Sequence, residues 1–321
     1  MTNDLAIEAS DLTKSYGGTP VLDGIDLQVP RGSLLALLGP NGAGKTTTVR
    51  ILATVTAADG GVARVAGYDV VAARREVRRR ISLTGQDVAV DELQTGFENL
   101  TVIGRLRRMS ARAARARAAE LLALFDLVDA ADRRVATYSG GMRRRLDLAA
   151  GLVSRPDVLF LDEPTTGLDP LSRHAMWAII RELTTSGVAV LLTTQHLEEA
   201  DHLADRIAML DRGRIIAQGT PDELKRAVAA QRLDIELVDN ESFDQVTGHL
   251  GGRVLHADRP VLSIEVAIEH DAAEVRTLLD EIDPTRARIA RFALQSASLD
   301  DVFTALTQQS AGTREMENTH V

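Results

Sequence analysis

A glycine-rich loop set between an apolar run and a helix-forming run limits the fold of this chain more than any other feature. The run SLLALLG leads into GPNGAGKTTT, at residues 39–48, and a helical pattern follows. Gly39, Gly44, Lys45 and Thr46 match G-x-x-x-x-G-K-[ST] in a strand–loop–helix context. Backbone N–H groups of such a loop close around phosphate oxygens, and the start of the helix adds its positive end. The pattern predicts a site for a nucleoside triphosphate.

Individual side chains of this loop have distinct chemical roles. We expect Lys45 to reach the β and γ phosphates and the Thr46 hydroxyl oxygen to bind Mg²⁺. ATP and Mg²⁺ are therefore the expected cofactors. The loop residues expected to contact the nucleotide are Gly39, Pro40, Asn41, Gly42, Ala43, Gly44, Lys45, Thr46 and Thr47.

Two carboxylates end a second apolar run, VLFLDEP at residues 158–164. Because successive strand residues point to opposite faces, Asp162 and Glu163 can have different roles. We expect Asp162 to hold Mg²⁺ through a water molecule. We expect Glu163 to polarise the attacking water as a general base.

The first 220 residues alternate continuous apolar runs with helical patterns. Continuous apolar strands between helices predict an α/β fold with a mostly parallel sheet that is covered on both faces. The chain has no cysteine, which excludes disulfides and thiolate metal sites. Its apolar runs are too short to span a membrane, so we expect any membrane association to use a partner or a surface.

The pattern changes near residue 221. Residues 221–321 hold 10 basic and 19 acidic residues, which accounts for the whole net charge of −9. This imbalance argues against nucleic-acid binding by this region. The order of elements predicts β-α-β-β-α-β plus a final helix, a small ferredoxin-like α+β domain over 221–310. Residues 311–321 are predicted to be a flexible tail.

A second glycine-containing loop opens the segment YSGGMRRRLDLA at residues 138–149. Ser139 is a favourable N-cap, and Gly140 and Gly141 leave the first N–H groups of the next helix bare. This helix start also suits an anion. Since the first loop already holds the triphosphate from one side, the second is useful when it binds the γ phosphate of another chain. We therefore expect a C2 dimer that sandwiches two nucleotides.

In their order along residues 5–220, these motifs resemble the ATP-binding subunit of ABC transporters. The resemblance implies a P-loop NTPase of the ABC ATPase fold. We therefore expect a nucleotide-binding domain over 1–220, with a mixed, mainly parallel sheet and a helical subdomain at about 87–150. In this family Tyr16 would stack on adenine, or else it is a plain surface residue.

Other positions take their roles from the same resemblance. Gln86 would lie near Mg²⁺ and the attacking water and would sense the transmembrane partner, the alternative being an ordinary loop glutamine. Asp169, in GLDP, would lie in the loop that links the two active sites. The family's signature loop corresponds to Ser139, Gly140 and Gly141.

Two positions depart from the family pattern. Met142 stands where the signature loop usually ends in glutamine, and we expect little loss, because the serine and the backbone remain. The switch histidine normally lies three residues before the first Glu of EEA, where this chain has Gln195, and His196 is one residue late. One residue of slip at a strand end turns a side chain to the other face. We therefore predict that Gln195 contacts the γ phosphate, with His196 as the alternative.

The end of the chain has a further resemblance. LDDVFTALT, with YSGGMRRRLDLA and LTTQHLEEADHLADRI, resembles daunorubicin-resistance-type exporter ATPases. We expect the C-terminal region to stabilise the dimer or the transporter complex. The alternative is a plain amphipathic helix whose apolar residues pack on the domain, namely Leu299, Val302, Phe303 and Leu306.

Six arginines occupy residues 105–117 without an acidic residue among them. Arg105, Arg108, Arg112 and Arg115 recur at helical spacing and are expected to line one stripe. The stripe is either a solvated face or a contact with a membrane partner or anionic lipid headgroups.

The resemblance implies the ATP-hydrolysing subunit of an exporter at the cytoplasmic face of the cell membrane. Its partners would be an integral-membrane permease and a second copy of itself, with no nucleic acid. The expected cargo is a hydrophobic drug, antibiotic or lipid. An importer or lipid-trafficking ATPase and a soluble ABC ATPase remain as alternatives. The catalytic motifs do not separate export from import, or a homodimer from a heterodimer.

Overall fold

A computed structural model describes residues 4–85, 90–228, 231–268, 272–295 and 298–306. The chain divides into two compact units, Met1–Pro221 and Asp222–Val321. Within the described residues, no helix combines the length and apolar character needed to cross a membrane.

Among its described residues, the first unit has ten strands that form two sheets. They are β1 (Leu5–Tyr16), β2 (Thr19–Pro30), β3 (Leu34–Leu38), β4 (Gly60–Val65), β5 (Tyr68–Asp69), β6 (Ile81–Thr84), β7 (Val158–Asp162), β8 (Ala189–Thr194), β9 (Arg206–Asp211) and β10 (Arg214–Gly219). The larger sheet has the order β10-β9-β3-β8-β7-β6. All its pairs are parallel except β9–β10. The smaller sheet, β2-β1-β4-β5, is antiparallel.

In the part of this unit that the structure describes, seven α-helices accompany these sheets. They are α1 (Lys45–Leu52), α2 (Arg74–Arg80), α3 (Gly96–Leu106), α4 (Ala111–Leu124), α5 (Gly140–Leu152), α6 (Pro170–Thr185) and α7 (Leu197–Leu203). Single 3₁₀ turns lie at Val128–Ala130 and Val135–Thr137. A further helix, α8 (Pro221–Val228), crosses the boundary between the units.

Burial explains why the central strands are continuous apolar runs. Every residue of β3, β7 and β8 is buried, because each strand has neighbours on both sides and cover on both faces. In parallel strands the carboxyl ends lie at the same edge of the sheet. The ends of β3, β7 and β8 therefore bring the glycine-rich loop, the two carboxylates and the segment after Thr194 to one edge. The sequence pattern predicts a mainly parallel sheet and does not separate this second, antiparallel sheet from it.

The prediction that four arginines line one stripe of a helix is wrong, because these arginines do not share a helix. Arg105 lies near the end of α3, and Arg108 lies outside any helix with a left-handed φ of 65°. Ser110 then caps α4, which carries Arg112 and Arg115. The chain turns between the two helices, because residue 108 cannot continue a right-handed helix at that φ. All four arginines are exposed.

In its described residues, the second unit contains a four-stranded antiparallel sheet with helices between the strands. Its elements are β11 (Gln231–Leu237), α9 (Asn240–Leu250), β12 (Val254–Asp258), β13 (Ser263–Ile268), α10 (Ala272–Ile282), β14 (Ile289–Gln295) and a last helix, α11, over residues 299–306. Short 3₁₀ turns lie at Gly251–Arg253 and Arg259–Val261. The strand order is β12-β13-β11-β14.

The second unit has its own core, in which apolar residues of β11 and β13 pack with α9 and α10. Of the last helix, Leu299 and Val302 are buried. Arg232 of β11 lies 4.0 Å from the carboxylate of Asp301. The Asp283 carboxylate is also buried and accepts hydrogen bonds from three backbone N–H groups, at 2.8–3.0 Å. The predicted tail, residues 311–321, lies outside the described residues.

Candidate active site

The glycine-rich loop runs from the end of β3 to the start of α1, and its geometry requires glycine at two positions. Gly44 caps α1 with φ 111°, and a Cβ there would lie 2.6 Å from Leu22 Cδ2 and 2.9 Å from the Val21 carbonyl oxygen. A Cβ on Gly39 would lie 2.1 Å from the Leu210 carbonyl oxygen. Any side chain at either position would force the surrounding backbone to move.

Lys45 is buried at the base of this loop. Its Nζ donates hydrogen bonds to the carbonyl oxygens of Gly39 (2.8 Å) and Pro40 (3.1 Å) and lies 3.7 Å from Glu163 Oε1. Burial lowers the pKa of the Lys45 ammonium, and the charges of Glu163 and Asp162 oppose that shift. The loop and the two carboxylates therefore surround one shared cation.

Asp162, the last residue of β7, is buried with its Oδ1 atom beside two hydroxyl groups. Thr46 Oγ1 donates to it at 3.2 Å, and Thr193 Oγ1 of β8 donates at 2.5 Å. Mg²⁺ prefers oxygen ligands and binds through one or two protein groups plus substrate phosphates. The Thr46 and Asp162 oxygens, side by side at the phosphate loop, fit this requirement. Sequence reasoning missed Thr193, whose role depends on pairing between two distant strands.

Glu163 does not continue the strand, so strand alternation does not separate it from Asp162 as expected. Its φ of 51° is left-handed, which turns the chain immediately after β7. Its N–H donates to the Thr193 carbonyl oxygen at 3.1 Å, and Thr166 Oγ1 lies 3.4 Å from its Oε2. A left-handed non-glycine residue costs about 1–2 kcal/mol, so surrounding contacts must hold this turn.

A cavity of about 390 Å³ opens over the loop. Its lining includes Tyr16, Lys45, Thr46 and Glu163. Tyr16, at the end of β1, is 47% exposed, so its ring is available to stack on a planar ligand. The structure thus brings six of the nine predicted residues of the first loop together with Tyr16 and the Glu163 carboxylate. This lining does not include Gly39, Pro40 or Ala43.

The signature-loop residues Ser139, Gly140 and Gly141 are not in this lining. Ser139 caps α5 and accepts a hydrogen bond from the Met142 N–H at 3.2 Å. A Cβ on Gly141 would lie 2.5 Å from Ser172 Oγ, and that hydroxyl donates to Asp169 at 2.6 Å. Hydrogen bonds from Ser172 lower the pKa of Asp169. The signature loop therefore meets the Asp169 loop within one chain, away from the cavity.

The switch position stays a prediction. β8 ends at Thr194, and both Gln195 and His196 are exposed beyond it. The His196 N–H donates to Thr194 Oγ1 at 2.9 Å, and the residue precedes α7. Strand alternation therefore does not decide between the two side chains. Gln86 lies outside the described residues.

These features together define a P-loop nucleoside triphosphatase. The glycine loop, the buried lysine and Glu163 line one cavity. Asp162, the last residue of β7, accepts a hydrogen bond from Thr46 of the same loop. A second capped helix start lies elsewhere on the same unit.

Comparisons with known proteins specify the class further. Residues 22–166 match the family model "ABC transporter", and residues 219–307 match "ATP-binding protein DrrA1-3-like, C-terminal domain". The daunorubicin/doxorubicin resistance ATP-binding protein DrrA of Streptomyces peucetius is 51% identical over 97% of this chain and 95% of its own length.

Solved structures agree on the fold. An ATP-binding subunit of an ABC transporter matches with a TM-score of 0.62 and 29% identity, over 69% of this chain and 92% of its own. A dimeric ATP-binding cassette, in a post-hydrolysis state with ADP and Pi, matches with a TM-score of 0.60 and 24% identity. That match covers 67% of this chain and 98% of the other and bears on the fold alone.

The chain belongs to the DrrA-type ATP-binding proteins of ABC transporters. It is an ATPase subunit of the drug-resistance exporter type. The predicted family, fold class and enzymatic activity are confirmed.

Proposed function

We propose that the chain binds MgATP, pairs with a second copy, and uses hydrolysis to drive a separate integral-membrane permease. The permease would export a hydrophobic drug, antibiotic or lipid, with the ATPase at the cytoplasmic face of the membrane. One observation carries the catalytic part of this proposal. The Glu163 carboxylate lies 3.7 Å from the Lys45 ammonium in the lining of the phosphate-loop cavity.

Each group around this cavity has a role that follows from its position. The loop N–H groups and Lys45 bind the phosphates, and Tyr16 stacks on the adenine. Glu163 orients the attacking water and accepts its proton. Because Lys45 is nearly fully buried, its charge acts on the phosphates with little screening by water.

When bound with ATP, Mg²⁺ would supply positive charge that offsets the charge developing on the phosphates. Thr46 and Asp162 are the residues that would hold it, with Gln86 as a further predicted ligand. The buried Lys45 ammonium would add a second positive charge toward the phosphates.

The second capped helix start supports a dimer. Ser139 and Gly140 are exposed, and they do not contribute to the cavity of their own chain. A helix start with free N–H groups binds phosphate oxygens well, so its natural ligand here is the γ phosphate held by another copy. Asp169, tied to the same region through Ser172, would then lie at the junction of the two sites.

Similarity to a named drug-resistance protein supports the proposed permease and cargo. The similar Streptomyces peucetius protein bears a name that refers to resistance to daunorubicin and doxorubicin. We assign residues 1–220 to nucleotide binding, with a helical subdomain at about 87–150, and residues 221–310 to an accessory α+β domain. That domain would stabilise the dimer or the complex, so a chain that stops at residue 221 should dimerise more weakly.

Replacing Glu163 with glutamine tests the proposal. This variant should retain ATP, accumulate as a dimer, fractionate with membranes and co-purify with an integral-membrane protein. Glu241→Gln, which neutralises an exposed carboxylate of the second unit, is the matched control and should turn over ATP normally. A Glu163→Gln protein that stays soluble as an ATP-bound dimer would remove the permease from the proposal. A fully active Glu163→Gln protein would remove the general base.

A further inference from the structure

A buried arginine of the signature helix reaches the turn that carries Glu163. Arg144, on α5, is 7% exposed. Its Nε donates to the Pro164 carbonyl oxygen at 2.8 Å, and its Nη2 donates to the Glu163 carbonyl oxygen at 3.2 Å. Its Nη1 donates to the carbonyl oxygen of Gly85, at the end of the described segment after β6, at 2.7 Å. One guanidinium thus joins α5 to two loops at the same edge of the sheet.

The charge of Arg144 is costly to bury, which argues for a specific role. Burial lowers the pKa of this guanidinium, and the nearby acids Asp147, Asp162 and Glu199 oppose that shift. The Asp147 carboxylate is 3.8 Å away. Guanidinium remains protonated in proteins and offers five donors in a rigid fork, which a lysine ammonium cannot reproduce.

The opposite end of the turn is held by a buried acid on α7. Glu199 is 1% exposed, and its Oε1 accepts hydrogen bonds from Thr165 Oγ1 at 2.7 Å and from Trp177 Nε1 at 3.2 Å. Residues 163–165 are therefore fixed by a cation on one side and by an anion on the other. Trp177 is the only tryptophan of the chain, so its emission reports on this contact.

These contacts explain how Glu163 keeps its left-handed conformation. Strained residues persist only where the surroundings over-determine them. The backbone carbonyls that Arg144 binds are those of Glu163 itself and of the next residue, so the guanidinium fixes the direction in which the Glu163 side chain leaves the turn. We propose that Arg144 is a positioning residue for ATP hydrolysis, which holds the turn of residues 163–165 so that Glu163 faces the phosphate-loop cavity. The inference rests on the proposed general-base role of Glu163.

The test compares two adjacent arginines of α5. In Arg144→Lys we expect kcat to fall about 100-fold, because a small displacement of a catalytic group has an effect of that order. The Kd for ATP should change less than about threefold, since the phosphate loop is untouched. Arg145→Lys is the matched control. Arg145 donates to the Phe125 carbonyl oxygen and to Asp126, away from the turn, so its kcat should stay within about twofold of the wild type.

Two further measurements separate positioning from general destabilisation. Methylguanidinium added to Arg144→Ala should restore part of kcat, while methylammonium should not. The Trp177 emission should shift in Arg144→Lys and not in Arg145→Lys. If Arg144 variants do not fold, Thr165→Val, which removes the hydroxyl bound to Glu199, should lower kcat about 10-fold at unchanged ATP affinity.

The outcomes are distinguishable. Wild-type kcat in Arg144→Lys, together with an inactive Glu163→Gln, overturns the positioning role and leaves the general base. An active Glu163→Gln overturns the general base itself. A loss of kcat in Arg144→Lys that only matches a smaller folded fraction, without rescue by methylguanidinium, also refutes the inference.

Discussion

Replacing Thr193 with valine tests how the carboxylate on the Mg²⁺ side is held. Thr193 is fully buried, and its hydroxyl donates to Asp162 Oδ1 at 2.5 Å, a length typical of a hydroxyl bound to a charged carboxylate. The bond from Thr46 to the same oxygen is longer, at 3.2 Å. Thr46 is itself an expected Mg²⁺ ligand, so Thr193 is the donor to Asp162 that can be removed without removing a metal ligand.

The expected magnitude follows from this geometry. A hydrogen bond to a charged group contributes about 1.5–3 kcal/mol. Groups that orient a metal ligand from outside typically change metal affinity about 10–100-fold, which corresponds to roughly 1.4–2.7 kcal/mol. The two ranges overlap, so Thr193→Val should raise the free Mg²⁺ concentration for half-maximal ATPase activity about 10–100-fold. Valine has nearly the same shape, and little repacking is expected.

The assay is a titration of ATPase rate against free Mg²⁺ at saturating ATP. Thr194→Val is the control, because Thr194 is equally buried and follows in the same strand, and its hydroxyl accepts a hydrogen bond from the His196 N–H. Its Mg²⁺ midpoint should move less than about threefold. An unchanged midpoint in Thr193→Val, or equal shifts in both variants, would refute the assignment of Asp162 as the supported metal ligand.

Three further predictions test other parts of the chain. Gln195→Ala should abolish ATPase activity and His196→Ala should not; the reverse pattern in a steady-state assay would move the switch by one residue. Gly44→Ala should lower the free energy of unfolding in urea by about 2–5 kcal/mol, because it adds strain at positive φ to overpacking. Gly42→Ala has open space at its Cβ position and should lower that free energy by only about 1–2 kcal/mol. Equal losses in the two variants would contradict the steric argument. Burial raises the pKa of Asp283, but three backbone N–H groups outweigh burial and lower it. The stability that it contributes is therefore complete above the unfolded pKa of aspartate and is lost as pH falls through the lower folded pKa, so Asp283→Asn should flatten the acid limb of a stability–pH profile.

Local patterns explain the correct parts of the sequence analysis. Lys45 and the glycines of its loop all lie within residues 39–45, and their spacing predicts a strand–loop–helix geometry. Ser139 caps α5 through a hydrogen bond to a residue three positions on, which is also local. Such features depend on neighbouring residues, so a sequence records them directly.

Two predictions were wrong because they depended on where a helix or a strand ends. The arginine stripe failed, because Arg108 takes a left-handed conformation that ends one helix before the next begins. Strand alternation was expected to point the Asp162 and Glu163 side chains in different directions. A left-handed turn at Glu163 separates them in its place. In both cases one backbone dihedral overrode a periodic pattern.

The sequence by itself determined the class of the protein. The phosphate loop, the strand-end carboxylate pair and the second capped helix start each lie within one short segment of the chain, so each can be recognised without the fold. Only the tertiary structure decided how the catalytic turn is held. Thr193 and Glu199 lie about 30 residues beyond Asp162–Thr165, and they meet that segment because the sheet places β7 beside β8. Arg144 reaches the same segment from α5. A buried arginine or threonine has no distinguishing local pattern, and its role depends on which carbonyl or carboxylate the fold brings within 3 Å or so of it.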